Sequence, residues 1–248
     1  MSQFADTYLN EVITMLEQIR GEEKDGLNKA ANLLADAIEN KNSIFAFGCS
    51  HSSLPIQDLV YRAGGLMLVN PIFGPGIESL DTHPPTLGSD IEKLHGYAEV
   101  LLDNTPIKAD DVLILVSVSG RNAVPVEMAM IAKERGLKVI GVTSKTYTEN
   151  VDSRHESGKK MYEFADVVLD NKVDKGDAVL QDDRVPQKFV PASGVTSTAL
   201  LQALIAATIE EALNRGITPP VYLAGNVDGG MEYNKKLIKE NQDRIFYI

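Results

Sequence analysis

The chain alternates between segments of helical period and short apolar runs. Residues 3–20 and 22–40 carry apolar side chains three and four positions apart, which predicts two amphipathic helices in succession. Five further runs are apolar and too short for typical helices, and they lie at 43–47, 66–69, 112–116, 137–142 and 165–169. Such runs are typical of strands that are buried on both faces of a sheet. The pattern therefore predicts an α/β protein whose first strand follows a helical hairpin.

The segment 111–144 holds the most regular of these patterns. A strand at 112–116 is followed by the polar turn 117–122, a helical pattern that ends at Gly136, and a second strand at 137–142. A strand, a helix and a strand joined in this way form a crossover with two parallel strands. The turn places two serines, a glycine and an asparagine beside the free N–H groups of a helix N-terminus. Because such a terminus attracts anions, the turn is a candidate phosphate site.

A similar unit comes earlier in the chain. The strand at 43–47 leads into the polar turn 48–53, Gly-Cys-Ser-His-Ser-Ser, and a helix is predicted over 54–62 before the strand at 66–69. Ligands of open parallel sheets bind outside the carboxyl ends of the strands, where neighbouring turns face each other. The two polar turns are therefore expected to contribute to one site.

Between the two units, proline and glycine crowd the segment 70–88, which predicts a functional loop. Ser89 is a candidate N-cap for one helix that carries apolar residues between 91 and 102. After the second unit, a polar loop is expected at 145–160.

The C-terminal part of the chain predicts two more helices. A mixed segment at 171–192, strand-like near its end, comes before an apolar helix at 196–215. That helix is expected to be capped by Ser193 or Thr196 and to stop at Gly216. A last short helix is expected at 231–240.

The composition is that of an ordinary globular protein. Of 248 residues, 44% are apolar and 24% are charged, and 24 basic against 35 acidic side chains give a formal charge of −11. Such a charge argues against nucleic acid or an anionic membrane as the main partner. The single cysteine, Cys49, excludes an internal disulfide, is expected to pack beside the strand, and fits a cytoplasmic protein. With no basic-then-apolar leader and no apolar run of about 18 residues, neither export nor membrane spanning is expected.

The phosphate-binding candidates lie in the two polar turns and at the end of the strand 137–142. Ser117, Ser119 and Asn122 can direct polar atoms at one tetrahedral anion while the Gly120 backbone approaches it closely. The other interpretation is a tight turn that is capped by its own serines. The full candidate set is Gly48, Ser50, Ser52, Ser117, Ser119, Gly120, Arg121, Asn122, Thr143 and Ser144.

Several members of this set have a second interpretation. Arg121 either pairs with a phosphate or carboxylate bidentately or lies solvated at the helix start. Thr143 and Ser144 either contribute to the phosphate site or only cap the following segment. Gly48 is expected to let the backbone come close to a ligand. The pattern Gly-x-Gly-x-x-Gly is absent after both strands, which argues against a dinucleotide site.

The ordered set of motifs resembles the sugar isomerase (SIS) domain family. The turn Ser-x-Ser-Gly-x-Asn at 117–122 resembles the family's hallmark turn, in which Thr is common at the last position, and the turn at 48–52 resembles its first phosphate loop. The segments 61–66, 92–98 and 119–125 are similar to a bacterial subgroup called sugar isomerase domain-containing proteins, and to phosphoheptose isomerase-like members. That subgroup usually has Gly where this chain has Ser50.

This resemblance implies a three-layer αβα sandwich around a five-stranded parallel sheet of flavodoxin-like topology. Residues 1–40 would be a hairpin packed on the domain, and 41–248 a single phosphosugar-binding unit. The resemblance further implies an isomerase, an amino-sugar lyase or deaminase, or a regulator that only senses the sugar phosphate. It implies a homodimer or tetramer, which the apolar faces of the hairpin and of the helix 196–215 also favour. No cofactor is expected.

Isomerisation of an aldose and a ketose needs a base beside the carbonyl and a group that moves protons between the oxygens. The candidates are His51 in the first turn, Asp58 on the helix after it, and Glu78 in the Pro/Gly-rich loop beside Asp81 and His83. The alternative interpretation for each of these residues is a side chain without a catalytic role that is solvated or hydrogen-bonded to the backbone. Related isomerases often carry a glutamate on that helix, so the shorter Asp58 is a departure.

Other titratable residues have less specific patterns. Glu92 and His95 are expected on one helix at i and i+3, facing either the pocket or solvent, and His155 is expected to be exposed in a charged loop. No cluster has metal-ligand spacing, so no metal is expected. The leading hypothesis is isomerisation of a sugar phosphate or amino-sugar phosphate. A sensing module without turnover and a nucleotide-binding α/β protein are the alternatives.

Overall fold

The structure is a computed structural model that describes residues 2–79 and 83–248. Its α-helices are α1 (Gln3–Glu22), α2 (Lys24–Asn40), α3 (Ser53–Gln57), α4 (Pro85–Ile91), α5 (Tyr97–Asp103), α6 (Ala123–Glu134), α7 (Lys145–Glu149), α8 (Ser193–Asn214) and α9 (Gly230–Glu240), with a 3₁₀ helix at Met161–Phe164. Its strands are β1 (Ile44–Gly48), β2 (Val69–Pro71), β3 (Val112–Val116), β4 (Lys138–Thr143), β5 (Val167–Asp170), β6 (Ala178–Asp182) and β7 (Val185–Pro191). Within the described residues, no helix is both long enough and apolar enough to cross a membrane.

The first five strands form a parallel sheet in the order β2-β1-β3-β4-β5. From β1 the chain moves to β2 on one side of β1 and then to β3 on the other side. The strand order therefore reverses at β1 and β3, which makes their carboxyl ends the topological switch point of the sheet. The prediction of a five-stranded parallel sheet with flavodoxin-like topology is confirmed.

Side chains of β3 alternate between two hydrophobic cores. Ile114 and Val116 face the core that contains α2 and α8, whereas Leu113 and Leu115 face the core that contains α5 and α6. Every residue of β1 and β3 is buried, because helices cover both faces of the sheet. This double burial explains the continuous apolar runs in the sequence and gives the three-layer αβα sandwich.

Helix α2 of the N-terminal hairpin packs on the sheet and on α8. Ser2 caps α1 by accepting a hydrogen bond from the Ala5 N–H at 3.3 Å, and the buried face of α2 belongs to the same core as the sheet and α8. Leu9 and Ile13, one turn apart on α1, remain exposed. This exposed row belongs to the hairpin, one of the two apolar elements from which an oligomer was expected.

Three predicted elements differ from the observed ones. Helix α3 ends at Gln57 instead of residue 62, and the strand expected at 66–69 begins only at Val69. The single helix expected after Ser89 is two short helices, α4 and α5. They are separated because Gly96 adopts a left-handed conformation, with φ of 82°, at the start of α5. Ser89 lies inside α4 and caps nothing.

Further differences lie toward the C-terminus. The loop expected at 145–160 opens with α7, and the mixed segment at 171–192 contains the antiparallel hairpin of β6 and β7. Helix α8 is capped by neither Ser193 nor Thr196. Instead the carboxylate of Asp177 accepts the N–H groups of Ala192 at 3.1 Å and Ser193 at 2.7 Å, so the cap comes from an earlier loop.

Candidate functional site

The two polar turns lie side by side at the switch point. In the parallel register Gly48 of β1 is opposite Val116 of β3, so the chain leaves both strands at the same edge of the sheet. We call residues 48–53 the first loop and residues 117–122 the second loop. A small ligand bound between them would meet the carboxyl ends of both central strands, the usual ligand position in sheets of this topology.

The backbone of the first loop is tightly folded and leaves two hydroxyl groups available. The Ser52 N–H donates to the Cys49 carbonyl at 2.9 Å, and Ser50 has a left-handed φ of 49°. The buried Ser53 hydroxyl donates to the Ser50 carbonyl at 2.7 Å and so supports the loop from inside. Within the described residues, the hydroxyl groups of Ser50 and Ser52 have no protein partner, so both can serve a ligand.

The serines of the second loop have different roles. The buried Ser117 hydroxyl accepts the Gly120 N–H at 3.2 Å, which is the self-capped turn that was the alternative interpretation. Gly120 has a φ of 59°, a conformation that favours glycine. Among the described residues, the Ser119 hydroxyl and the N–H groups of Ser119 and Arg121 have no partner. The open donors of this loop therefore include those of residues 119 and 121.

Thr143 and Ser144, at the end of β4, are buried and bonded to backbone. Thr143 Oγ1 donates to the Val118 carbonyl at 3.1 Å. Ser144 Oγ accepts the Tyr147 N–H at 2.9 Å, which caps α7, and donates to the Val173 carbonyl. Both hydroxyl groups support the chain behind the second loop, which is the capping interpretation.

Arg154 reaches the second loop from a segment that the sequence predicted to be a plain loop. Its backbone N–H donates to the Arg121 carbonyl at 2.8 Å, and its Nη1 donates to Asn122 Oδ1 at 2.9 Å. Asn122 is the N-cap residue of α6, but its side chain makes no capping bond. Arg121 Nε is buried without a hydrogen-bond partner among the described residues, so the site contains an unsatisfied cationic donor.

Two carboxyl groups lie near the first loop. Burial raises the pKa of the Glu92 carboxyl, and a hydrogen bond from Asn122 and the charges of Arg154 and Lys93 oppose that rise. Burial also raises the pKa of the Cys49 thiol, and the neighbouring Glu92 and Glu78 carboxylates raise it further. The thiol is therefore protonated at neutral pH, so Cys49 is a packed side chain, as expected, and not a nucleophile.

The three candidate catalytic residues have different surroundings. His51 is exposed in the first loop. Glu78 forms a parallel bridge with Ser50 and lines a cavity of about 560 Å³ whose other lining residues are Gln57, Val60, Phe73 and Ser79. Asp58 follows α3, forms an ion pair with Arg62 and accepts a hydrogen bond from Gln202 at 2.9 Å. Asp81, which the sequence analysis considered together with Glu78 in the Pro/Gly-rich loop, lies outside the described residues.

Two expectations about other titratable residues are wrong. Glu92 and His95 do not share a helix, because α4 ends at Ile91 and α5 begins at Tyr97. His155 is buried, not exposed, and its ring lies 5.1 Å from that of His95. Only the folded chain brings these segments together, so no local sequence pattern could have indicated the contact.

Glu92→Gln is expected to gain stability relative to the wild-type protein as the pH rises. Folding raises the pKa of this carboxyl, so the folded state favours its protonated form. The resulting contribution to the free energy of unfolding is fully present only below the unfolded-state pKa of about 4.3. That contribution is lost as the pH rises through the folded-state pKa, whereas glutamine does not titrate. Urea unfolding at about pH 4 and about pH 7 should show a free-energy difference, variant minus wild type, that is more positive at the higher pH.

The control for this measurement is Glu99→Gln, a substitution at an exposed position of α5. It is expected to show a smaller change across the same pH interval. An equal change in both variants, or no pH dependence for Glu92→Gln, would contradict the assignment of a desolvated carboxyl at Glu92.

The sheet topology and the paired loops define a three-layer α/β protein with a polar site at its switch point. The family model described as the SIS domain matches residues 7–144. The chain belongs to the SIS-domain family, as its motifs predicted.

Relatives similar over nearly the whole chain are named UPF0309 proteins. The one from Streptomyces coelicolor is 48% identical over 243 residues, which covers 98% of this chain and 97% of the relative. The one from Oceanobacillus iheyensis is 40% identical over 241 residues, which covers 97% of this chain and 98% of the relative.

Solved structures with a similar fold include an isomerase and a sugar-phosphate complex. Phosphoheptose isomerase from Neisseria gonorrhoeae has a TM-score of 0.57 at 19% identity, with 84% of this chain and 98% of that chain covered. The NanR protein of Vibrio vulnificus, solved in complex with ManNAc-6P, has a TM-score of 0.54 at 13% identity. The match covers 97% of this chain and 70% of the NanR chain. At these identities the likeness establishes the fold alone.

Proposed function

We propose that this protein binds a sugar phosphate between its two polar loops and interconverts the aldose and ketose forms of that sugar. The observation that carries the proposal is the position of two hydroxyl-rich loops with open donors on both sides of the switch point. Membership of the SIS-domain family supports the sugar phosphate as ligand. The shared fold with phosphoheptose isomerase supports isomerisation as the reaction.

The phosphate group would be held by the open donors of the two loops. The Ser119 hydroxyl and the N–H groups of Ser119 and Arg121 would bind it from the second loop, and the hydroxyl groups of Ser50 and Ser52 from the first. Ser117, Thr143 and Ser144 would act indirectly, because their hydroxyl groups already bind backbone atoms. Gly48 and Gly120 would let the backbone come close to the anion.

Charged side chains beside the loops would complete this site. The unsatisfied Arg121 Nε would supply a charge-assisted hydrogen bond to the phosphate. Asn122 would be oriented for the ligand by its hydrogen bond with Arg154. These donors act locally, so the net negative charge of the protein does not oppose the binding of an anion here.

Proton transfer at the sugar carbons would use side chains near the first loop. His51 and Glu78 flank Ser50, and Glu92 adds a carboxyl group whose pKa is raised toward the operating pH by burial. Asp58 would first have to release Arg62 and Gln202. His51 with one of the two glutamates is therefore the acid–base pair that we favour.

Ser119→Ala tests where the phosphate binds. Losing one hydrogen bond to a charged ligand costs about 1.5–3 kcal/mol, so phosphosugar affinity is expected to fall roughly 10-fold to 150-fold. A panel of sugar phosphates, their free sugars and nucleotides is screened by thermal shift, because a ligand at about 100 times its Kd adds about 2.7 kcal/mol. The Kd of the best ligand is then compared between variants by titration calorimetry.

Thr14→Ala is the matched control, because it removes one hydroxyl group from the exposed side of α1. It should leave the affinity unchanged. Equal affinities for Ser119→Ala and wild type would show that the second loop does not hold the phosphate. Stabilisation by nucleotides and by no sugar phosphate would favour the nucleotide-binding alternative.

The second candidate function is sensing of the sugar phosphate without turnover. It is favoured by the similar fold of the NanR–ManNAc-6P complex and by the engagement of Asp58 in an ion pair. Proton NMR in D₂O separates the two functions, since isomerisation exchanges the hydrogen on the carbon beside the carbonyl. Binding of the sugar phosphate without exchange would replace the isomerase with the sensor.

A further inference from the structure

Three side chains that are distant in the sequence converge beside the second loop. His95 lies in the connection between α4 and α5, Glu127 on α6, and His155 in the segment after α7. Glu127 Oε1 is 2.8 Å from His95 Nδ1 and 3.5 Å from His155 Nε2. One nitrogen or oxygen atom from each residue lies within 4.8 Å of the other two. The three ligand-type atoms thus surround a single point.

The surroundings of the cluster fix two of the three side chains. Glu127 Oε2 accepts the Gly96 N–H at 2.8 Å, which orients its carboxylate. The side chains of Glu127 and His155 are 7% and 4% exposed, whereas that of His95 is 51% exposed. The cluster therefore has a buried rigid side and one side that opens to solvent.

The cluster contains one buried carboxylate and two histidine rings. No lysine or arginine in the described part of the chain pairs with the buried Glu127 carboxylate, whose ion-pair partners are the two histidines. A buried carboxylate is stabilised by a neighbouring positive charge, and a metal ion held between this carboxylate and the two histidine rings would supply one.

We propose that His95, Glu127 and His155 form a binding site for one divalent transition-metal ion of the zinc type. Two histidines and one glutamate are a ligand set that zinc accepts when a fourth position is left to solvent. Ligand atoms on one tetrahedral zinc ion lie about 3.4 Å apart, from metal–ligand distances of about 2.0–2.1 Å. The separations of 2.8 and 3.5 Å bracket that value, and rotation of the exposed His95 ring adjusts the shorter one.

Ser157 contacts the side of the His155 ring that faces away from Glu127. The His155 Nδ1 atom accepts the Ser157 N–H at 3.2 Å and lies 2.8 Å from the Ser157 hydroxyl oxygen. Coordination of a metal through Nε2 would place the ring proton on Nδ1, which would then donate to the Ser157 hydroxyl instead of accepting the Ser157 N–H. Metal-bound histidines usually donate their second ring N–H to such an acceptor, which fixes the tautomer.

The ion would act as a clamp between α6 and the segment that carries His155. Arg154, the residue before His155, binds both the Arg121 carbonyl and the Asn122 side chain of the second loop. A metal that holds His155 on α6 therefore holds Arg154 in its place. The site itself rests on the geometry of the three ligands and does not depend on the proposed function.

Zinc titration of the full chain tests the proposal. The protein is stripped with a chelator, and ZnCl₂ is titrated by calorimetry while CoCl₂ serves as a visible-spectrum probe of coordination. One equivalent of Zn²⁺ should bind, and Co²⁺ should give the strong visible bands of a four-coordinate site. Ser157→Ala should weaken binding about 10-fold to 100-fold, the usual effect of losing a histidine-orienting partner. His95→Ala should weaken it at least as much.

The controls separate this site from adventitious binding. His95 is exposed, so its substitution tests the site even where a Glu127→Gln protein fails to fold. His83→Ala removes another exposed histidine, outside the cluster, and should leave zinc affinity unchanged. Absence of zinc binding, or equal affinities for wild type, His95→Ala and Ser157→Ala, would overturn the proposal. Since no sugar phosphate is used, either result leaves the proposed function to its own test.

Discussion

Gly48→Ala is expected to disrupt the first loop and to abolish phosphosugar binding. A Cβ atom on Gly48 would lie 2.2 Å from the Ser52 carbonyl oxygen and 2.6 Å from its carbonyl carbon. Both are backbone atoms, so no side-chain rotation relieves the overlap. The loop must move as a whole, and with it the Ser50 and Ser52 hydroxyl groups. Forced overpacking of this kind costs about 3 kcal/mol, the upper end of the usual range.

The measurement is a melting curve together with a titration of the best sugar phosphate. A loss of about 3 kcal/mol should lower Tm by roughly 6 to 12 °C for a chain of this size. Gly21→Ala is the matched control: it lies in α1, and beyond that helix's own backbone no atom of the described residues comes within 4 Å of its added Cβ. That variant should be as stable as wild type or slightly more so. A Gly48→Ala protein that has the same Tm as wild type and still binds the sugar phosphate would refute the close packing of the first loop.

Asn70→Ala is expected to release the C-terminal segment from the edge of the sheet. The buried Asn70 Nδ2 donates to the carbonyls of Arg244 at 2.9 Å, Ile44 at 3.2 Å and Leu68 at 3.2 Å, and Oδ1 accepts the Phe246 N–H at 2.8 Å. Alanine satisfies none of these groups. Because each buried unsatisfied group costs about 1–3 kcal/mol, a total loss of about 3 kcal/mol or more is expected.

Urea unfolding measures this loss, and hydrogen exchange of the Phe246 amide reports whether the segment detaches. Asn104→Ala is the control, since the exposed Asn104 side chain makes one bond to the described residues, a donation to the Val100 carbonyl at 2.8 Å. Its effect should stay within about 0.5 kcal/mol. If Asn70→Ala costs as little as the control, the C-terminal segment is held by other contacts. The stacking of Phe246 on Phe45 would then be the first to examine.

The strands and the two polar loops were predictable from the sequence because their signals are local. A continuous apolar run such as 112–116 indicates a strand buried on both faces, and the order of the runs with helices between them indicates a parallel sheet. Glycine at 48 and 120, beside serines at strand ends, marks tight turns at one edge of that sheet. These periodicities and turn residues determined the fold class and the position of the candidate site.

The roles of individual side chains depended on contacts between distant segments. Ser117 and Ser119 are equivalent as a sequence pattern, yet one hydroxyl group binds the Gly120 N–H and the other stays open. The cap of α8 comes from Asp177 in an earlier loop, and Arg154 reaches the second loop from beyond β4. Hydrogen bonds and side-chain packing between such segments act only after the chain has folded, so no local pattern encodes them.

The clearest example is the group formed by His95, Glu127 and His155. None of these residues is near another in the chain, and the sequence therefore predicted an exposed His155 and no metal. The hydrophobic pattern determined that this is a parallel α/β protein with polar loops at its switch point. Only the tertiary structure decided which donors remain open there and which buried charges meet, because both depend on how the loops pack after the sheet has formed.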